Sequence, residues 1–296
     1  MSGYRIPTDG EELRTYLFSP RAGFIYDFLV DGSASYSFDQ DVAVELYRVA
    51  NWVRTAALIN REFGRQSVNT SLALGVRQFL DLGCGLPAGP QAAVPDLHEM
   101  IAKTQQGCPV VYVDHDPHVY GYARCDLDVR PPHRVTPVHA DLLDMQELLH
   151  MPEVTRALDL TQPVAAILHD CLPWNEDDDE VAQALAVLRA WLPEGSTLSI
   201  THLTGHWDPA TVSALVAVYG KHGIRARPRT REQIAALFGN FIHRELGLAA
   251  TAQWSDDGPF CRHPPIHSAA FAGLAVKDTA RNLHDDEAEP AGKATR

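Results

Sequence analysis

Short apolar runs and amphipathic segments of helical length alternate along most of this chain. Five runs have the composition of buried strands, at residues 79–82, 110–113, 135–139, 164–168 and 197–202. Helical spacing of apolar residues is found at 97–103, 118–125, 143–149, 177–192, 209–222 and 231–237. Two further strand-like runs, 241–245 and 271–276, close the pattern. Such alternation predicts an α/β fold with a mostly parallel sheet covered by helices on both faces.

A helical region precedes the first predicted strand. Apolar residues recur near helical spacing over residues 38–63, and a second helix is predicted over 68–74. The charged C-terminal tail contains proline and glycine and has the composition of a disordered segment. We therefore divide the chain into a flexible N-terminus (1–20), an N-terminal helical segment (21–75), a sheet-containing domain (76–277) and a disordered tail (278–296).

The most informative segment surrounds the first predicted strand, at residues 78–87, QFLDLGCGLP. The apolar run contains Asp81, and Gly83 and Gly85 follow it directly. Glycines just after a buried parallel strand let the backbone approach a ligand closely. The segment therefore predicts a ligand-binding turn at the carboxyl end of this strand.

Acidic residues also follow the next three predicted strands. Residues 110–117, VVYVDHDP, end the second strand at Asp114, and Asp141 and Asp170 follow the third and fourth strands. A glycine-rich turn after one strand and a carboxylate after the next are how a Rossmann-type sheet binds a nucleoside, with the carboxylate accepting hydrogen bonds from ribose hydroxyls. Because parallel strands end at the same edge of a sheet, we expect these acids to line one pocket.

Two classes of nucleoside ligand fit this pattern. Gly83, Gly85 and Ala88 satisfy the dinucleotide pattern G-x-G-x-x-G/A, so an NAD-dependent oxidoreductase is one alternative. A pyrophosphate, however, prefers a helix N-terminus without a nearby anion, and Asp81 precedes the first glycine by two residues. S-adenosylmethionine (SAM) carries a sulfonium and an ammonium group. The carboxylate therefore favours SAM as the cofactor.

The composition of the chain restricts the kinds of partner that it can bind. The chain has 25 basic and 38 acidic residues, and its net charge of −13 opposes binding to nucleic acid or to an anionic membrane. Its five cysteines include no C-x-x-C pair, so we expect no metal site and no disulfide framework. No apolar stretch approaches the ~20 residues of a membrane helix. We expect a cytoplasmic protein with a small-molecule substrate, and we leave its oligomeric state open, with a homodimer as one option.

Seven motifs between residues 22 and 238 match one family pattern. They are AGFIYDFLVDG (22–32), NR (60–61), RQFLDLGCGLP (77–87), LHEM (97–100), VVYVDHDP (110–117), ADL (140–142) and TREQIAALF (230–238). In these motifs the chain resembles the bacterial S-adenosyl methyltransferase family, a group of class I SAM-dependent methyltransferases once described as a domain of unknown function. The resemblance implies a Rossmann-like, seven-stranded, mostly parallel sheet with helices on both faces. It also implies that residues 21–75 form a helical lid.

The resemblance and the strand-end pattern together name the site residues. Asp81, Gly83 and Gly85 are expected to hold the methionine end of SAM, and Asp114 the ribose. The remaining predicted cofactor contacts are Tyr26, Arg61, His115, Asp141 and Leu142, of which Asp141 would accept from the adenine amino group and Leu142 would donate its N–H. The implied function is methyl transfer from SAM to a small-molecule acceptor, in bacterial specialised metabolism.

The chain departs from the family pattern on the substrate side. Residues 31–35, DGSAS, lack the usual lysine and asparagine, and Pro173 occupies the position of the usual histidine after the fourth strand. The candidate catalytic bases are His169 and Asp170, which follow the fourth strand, and His202, which follows the fifth. These departures leave open a SAM-binding protein that transfers no methyl group.

Overall fold

The computed structural model describes residues 17–88, 92–127, 134–244, 246–254 and 263–278. Most of the predicted flexible N-terminus, nearly all of the predicted tail and the end of the predicted strand at 241–245 lie outside these residues. In the described ranges, none of the helices is both long enough and apolar enough to cross a membrane.

Within the described residues, one sheet of eight strands forms the centre of the fold. The strands are β1 (Phe79–Leu82), β2 (Pro109–Asp114), β3 (Arg134–His139), β4 (Ala165–His169), β5 (Thr197–Leu203), β6 (Ile242–His243), β7 (Ala249–Ala250) and β8 (Ala270–Val276). Their order is β3-β2-β1-β4-β5-β8-β6, and β7 also pairs with β8. The first five strands run parallel, whereas β8 runs antiparallel to β5, β6 and β7.

The predicted mostly parallel α/β sheet is thus confirmed, with eight strands in place of seven. The additional strand is β7, which has only two residues. A pair of alanines gives no detectable alternation of apolar and polar residues. Its pairing with β8 is decided by the tertiary fold.

Helices surround the sheet. They are α1 (Ala22–Leu29), α2 (Ser37–Val49), α3 (Val53–Ala73), α4 (Leu97–Thr104), α5 (Pro117–Asp126), α6 (Met145–Leu148), α7 (Pro152–Ala157), α8 (Asp178–Trp191), α9 (Pro209–Lys221) and α10 (Arg231–Leu237). Short 3₁₀ turns at Leu142–Asp144 and Leu172–Trp174 follow β3 and β4. Both turns therefore lie at the edge of the sheet formed by the carboxyl ends of the parallel strands.

The N-terminal helices divide differently from the prediction. The helix predicted over 38–63 breaks after Val49, where Ala50 takes an extended conformation, and α3 then continues to Ala73. Apolar residues on both sides of the break, Leu46 and Leu58 among them, are buried in one cluster. The break therefore allows two helices to pack on a common core, which apolar spacing alone does not reveal.

The two faces of the sheet bury separate cores. Leu80 and Val111 belong to a large core on one face, and Phe79 and Tyr112 belong to a second core on the other face, because adjacent residues of a strand point to opposite sides. Asp81 pairs in register with Tyr112 and Ile167, which both lie on the second face. Helix α3 also packs on this face through Val68 and Leu72, so Asp81 points toward the side of the sheet that α3 covers.

Candidate functional site

A cavity of about 590 Å³ lies at the carboxyl ends of β1, β2 and β4. This volume is within the range of roughly 300–1,000 Å³ typical of small-molecule sites. The strand order reverses at β1, which has β2 on one side and β4 on the other, and ligands of open α/β sheets bind at such a point. All predicted site residues except His202 line the cavity: Tyr26, Arg61, Asp81, Gly83, Gly85, Asp114, His115, Asp141, Leu142, His169 and Asp170.

The turn after β1 requires glycine at its first position. Gly83 has a φ of 72°, a conformation that favours glycine, and a Cβ atom there would overlap the side chain of Cys171. The N–H of Gly83 donates to the carbonyl of Val113 at 2.8 Å, which joins the turn to β2. Gly83 therefore packs closely against Cys171, and both residues line the cavity.

Asp114 is fixed by two backbone hydrogen bonds. Its Oδ2 accepts from the N–H of Gly85 at 3.0 Å, and its Oδ1 accepts from the N–H of Asp116 at 2.9 Å. Burial raises the pKa of this carboxyl, and the hydrogen bonds and nearby His115 oppose that rise. A carboxylate has about four acceptor positions, so Asp114 keeps acceptor capacity for a ligand. The side chain of His115 is largely exposed, with Nδ1 3.7 Å from Asp114 Oδ1.

Asp81 is a buried acid that accepts no hydrogen bond from the described residues. Only 8% of its surface is exposed, and no hydrogen bond is among the causes that shift its pKa. Burial raises the pKa of Asp81 to about 7, the nearby carboxylates Asp96 and Asp114 contribute to the rise, and Arg61 opposes it. A cation beside this carboxyl would replace its lost solvation and restore the charged form.

Arg61 of α3 is the basic residue whose charge opposes the rise of the pKa of Asp81. Its Nη2 donates to the carbonyl of Leu86 at 3.3 Å, and its Nη1 lies 3.7 Å from Oδ1 of Asp96. Its guanidinium carbon is 5.8 Å from the centre of the Tyr26 ring. The structure thus places positive and negative side chains from α3 and β1 at one end of the cavity.

Asp96 is a cavity residue that our sequence analysis missed. It precedes α4, accepts from the N–H of Ala88 at 2.9 Å, and has its pKa raised to about 6 mainly by burial. The only signal in the sequence was an acid directly before a predicted helix, which equally fits a helix cap. Its contact with Arg61 depends on α3, which lies far away in the chain.

Asp141 and Leu142 line the cavity after β3. Oδ1 of Asp141 accepts from the N–H of Leu143 at 2.9 Å, so this residue also caps the 3₁₀ turn. One carboxylate oxygen is thereby held by the backbone. The carboxyl has further acceptor capacity toward the cavity.

Asp170 follows β4 in a strained conformation. Its φ is 54°, which is uncommon outside glycine and costs a non-glycine residue roughly 1–3 kcal/mol. Burial raises the pKa of Asp170 to about 7, and within the described residues no group hydrogen-bonds its side chain. A carboxyl with this pKa exchanges protons readily near neutral pH.

His169 has the opposite properties. Its Nε2 lies 3.0 Å from Oγ of Ser199, and its ring centre lies 5.0 Å from that of Phe63. Burial lowers the pKa of His169 to about 3. The imidazole is therefore neutral and weakly basic, although it lines the cavity.

His202 does not reach the cavity, contrary to the prediction that it is a candidate base. It is fully buried, its Nδ1–H donates to the carbonyl of Leu203 at 2.8 Å, and its Nε2 accepts from Arg229 at 2.9 Å. Burial lowers its pKa to about 3. Both ring nitrogens have partners, so His202 is a structural residue of β5.

Arg229 connects His202 to the segment after β4. Its guanidinium donates to the carbonyls of Leu172 and Asn175, each at 3.1 Å, and to Oδ1 of Asp178 at 2.9 Å. Leu172 and Asn175 line the cavity. Arg229 thus determines the position of one cavity wall without touching the cavity, a role that no local sequence signal indicates.

The N-terminal helices are joined to the sheet at the cavity. Asn60 donates to the hydroxyl of Tyr26 at 3.0 Å and accepts from the hydroxyl of Thr201 at 2.6 Å. The Tyr26 hydroxyl donates to the carbonyl of Ala57 at 2.9 Å. These contacts bring Tyr26 and Asn60 into the cavity wall, whereas opening and closing of a lid remains a prediction.

Comparison with known proteins places these features in a family. A family model described as S-adenosyl methyltransferase matches residues 13–278. The crystal structure of a DUF574 family protein from Streptomyces avermitilis MA-4680 superposes with a TM-score of 0.82 at 27% identity, covering 88% of this chain and 98% of that chain. A protein from Thermobifida fusca YX, described provisionally as a methyltransferase, gives a TM-score of 0.76 at 29% identity, covering 88% and 95%. No curated protein matches the sequence significantly.

We predict that Asp81→Asn stabilises the ligand-free protein more at pH 8 than at pH 6. The folded-state pKa of Asp81, about 7, exceeds the ordinary value of 3.8. Its contribution to stability is therefore full below pH 3.8 and is lost as the pH rises through 7. Because Asn carries no charge, the gain should be larger by about 1 kcal/mol at pH 8 than at pH 6. Chemical denaturation at both pH values measures it.

Asp41→Asn is the matched control, since Asp41 is exposed on α2. The comparison of variant with wild type cancels the opposite effect of the buried histidines, which lowers stability as the pH falls below 6.5. An equal gain in the free energy of unfolding at both pH values would contradict the claim that burial raises the pKa of Asp81.

Proposed function

The chain belongs to the S-adenosyl methyltransferase family, and from this premise we propose that its cavity transfers the methyl group of SAM to a small-molecule acceptor. Family membership makes the protein a SAM-dependent methyltransferase with SAM as its cofactor. The acceptor class, a role in specialised metabolism and the roles of individual residues belong to the proposal. The observation that carries it is the buried carboxyl of Asp81 beside the glycine turn, with Arg61 close enough to oppose the rise of its pKa.

The residues present fit the amino-acid end of SAM. The ammonium group would meet the unpartnered Asp81 carboxylate, and the carboxylate of the same ligand would meet Arg61, which is close enough to Asp81 to oppose the rise of its pKa. Gly85 of the same turn lines the cavity, and no atom lies within 4 Å of the position that a Cβ would take there, so the turn leaves room for the ligand at this residue. Such a pair recognises a zwitterion, because each charge of the ligand meets its opposite.

The nucleoside end fits the next two strands. Asp114 would accept from ribose hydroxyls through its remaining acceptor positions, and Asp141 from the adenine amino group. Leu142 would donate its N–H to the base, His115 would complete the wall beside Asp114, and Tyr26 would line the cavity next to Arg61. These assignments are supported by the position of all five residues around one cavity.

The cofactor supplies an activated methyl group and a thioether leaving group, so the protein contributes mainly orientation and exclusion of water. We assign the base to Asp170 and not to His169. A pKa of about 7 suits proton transfer at neutral pH, whereas a pKa of about 3 makes His169 a poor acceptor of protons. His169 then serves to pack β4 against Phe63 of α3.

A small-molecule acceptor is supported by the shape of the site and by the charge of the protein. The cavity takes walls from the N-terminal helices and from the segment at 223–225 as well as from the strand ends. The net charge of −13 disfavours a nucleic-acid acceptor. A cytoplasmic location and a homodimer stay predictions.

We predict that Asp81→Asn weakens SAM binding by ~1–3 kcal/mol, the usual loss when one partner of a charged hydrogen bond is removed. For the wild type, affinity should fall as the pH drops from 7.5 to 5.5, because protonation of Asp81 removes the charge that binds the ammonium group. In the variant this dependence should be much smaller. Titration calorimetry measures both, with Asp41→Asn as the control.

The proposed transfer predicts that the protein consumes SAM when a suitable acceptor is present. Incubation with methyl-labelled SAM and a bacterial metabolite extract should give labelled small molecules and demethylated cofactor. Asp170→Asn should lose most turnover and retain SAM affinity, since the carboxyl serves the acceptor and not the cofactor. SAM that is bound and never consumed would support the alternative of binding without transfer.

A further inference from the structure

The charged side chains around the cavity are mostly paired within the protein. Nε of Arg21 lies 3.5 Å from Oδ2 of Asp116, and Nη1 of Arg61 lies 3.7 Å from Oδ1 of Asp96. A cationic cofactor accounts for Asp81 under the proposed function. The acids at the cofactor end therefore each have an assigned partner or ligand group.

We assign the acceptor to the part of the cavity lined by Asp170, Trp174, Asn175 and residues 223–225, and we call this part the acceptor end. Its balance of charges differs from that of the cofactor end. Its arginine, Arg225, is largely exposed and pairs with Glu176 at 3.1 Å. Asp170 lies at this end with no cation and no hydrogen-bond donor bound to it among the described residues. The carboxylate of Asp170 is therefore neutralised neither by the described residues nor by the proposed contacts with the cofactor.

The backbone of Asp170 is strained where it holds this carboxylate at the cavity. Asp170 has a φ of 54°, and its N–H donates to the carbonyl of Thr201 at 3.2 Å. Strained residues of this kind persist where the surrounding structure determines them, and they concentrate at ligand sites. The observed strain agrees with a carboxylate that has a ligand to bind.

Aromatic rings lie near Asp170. Tyr26 and Trp174 line the cavity together with Asp170. Burial raises the pKa of Tyr26 to about 12 and also raises the pKa of Tyr219, and the charge of Asp170 adds to both rises. Trp174, which lines the cavity, packs against Tyr219 with ring centres 5.1 Å apart. A carboxylate close to aromatic rings is an environment that recognises organic cations, through charge pairing and through the negative faces of the rings.

We infer that the methyl acceptor is an amine whose nitrogen binds against the Asp170 carboxylate, an inference that rests on the proposed methyl transfer. An anionic acceptor would meet an unneutralised carboxylate with no free cation nearby among the described residues. An alcohol would leave the charge of Asp170 unpaired, and it needs a stronger base than this carboxyl to release its proton. An amine pairs with the charge of Asp170 as an ammonium ion, and it can release its proton to this carboxyl.

The proton and electron balance is simple. An ammonium ion gives one proton to the Asp170 carboxylate, which frees the nitrogen lone pair. The nitrogen lone pair forms the new N–C bond while the C–S bond breaks. The electron pair of the C–S bond stays on sulfur. The products are an N-methylated ammonium ion and a neutral thioether, and the proton leaves Asp170 to solvent. No oxidant, reductant or further reactant is required.

Binding of three matched probes tests this inference without requiring turnover. Benzylamine, benzyl alcohol and benzoate differ only in the polar group, and each is titrated into the protein with and without the demethylated cofactor. We expect benzylamine to bind at least tenfold more tightly than benzyl alcohol, and benzoate to bind most weakly. In Asp170→Asn the affinity for benzylamine should fall at least tenfold, with little change for the alcohol.

The variant should fold, because asparagine tolerates the left-handed conformation at this position. Asp41→Asn, on the exposed face of α2, is the control and should keep the amine preference. Equal binding of alcohol or benzoate, no binding of benzylamine, or an amine preference that survives in Asp170→Asn would overturn the inference. So would a tenfold loss of SAM affinity in that variant, since Asp170 would then belong to the cofactor.

Failure of the proposed function looks different. If neither SAM nor its demethylated product binds the wild type, the proposed cofactor site is wrong. The probe comparison on the cofactor-free protein still decides whether Asp170 selects amines.

Discussion

The site depends on carboxyl groups that the fold desolvates and that accept no hydrogen bond from the described residues. Asp81 and Asp170 lie at the ends of adjacent parallel strands, and burial raises the pKa of each to about 7. Holding such groups at the edge of the sheet lowers the stability of the empty protein near neutral pH. The same desolvation strengthens their attraction for a positively charged ligand, because little water remains to screen it.

The surrounding structure keeps these carboxyls in place. The glycine turn after β1 passes so close to Cys171 that Gly83 admits no side chain. Asn60 joins α3 to Tyr26 and β5. Arg229 joins His202 to the segment after β4. Each contact links segments distant in the chain, so the geometry of the cavity is a property of the whole domain.

The two departures from the family motifs have structural explanations. In the DGSAS segment, the carboxylate of Asp27 accepts from the backbone N–H groups of Ala34 and Ser35, at 2.9 and 3.1 Å. These contacts use backbone and need neither the usual lysine nor the usual asparagine. Pro173 is buried in a 3₁₀ turn, and its carbonyl accepts from the N–H of Arg227 at 2.7 Å. A turn held in this way brings Trp174, rather than a histidine, to the cavity.

The sequence alone determined the α/β fold and the strand-end acids, because a buried parallel strand has a distinct apolar composition and its end is marked by glycine or acid. It therefore placed Asp81, Asp114, Asp141 and Asp170 at one edge of the sheet. Only the tertiary structure decided which polar groups became partners. His202 and Asp170 both lie at the ends of predicted strands, but their surroundings differ. Arg229 hydrogen-bonds His202, whereas no group of the described residues hydrogen-bonds the side chain of Asp170. Pairing and burial depend on contacts between distant segments, and for this reason local patterns could not distinguish a structural histidine from a free carboxylate or reveal Asp96.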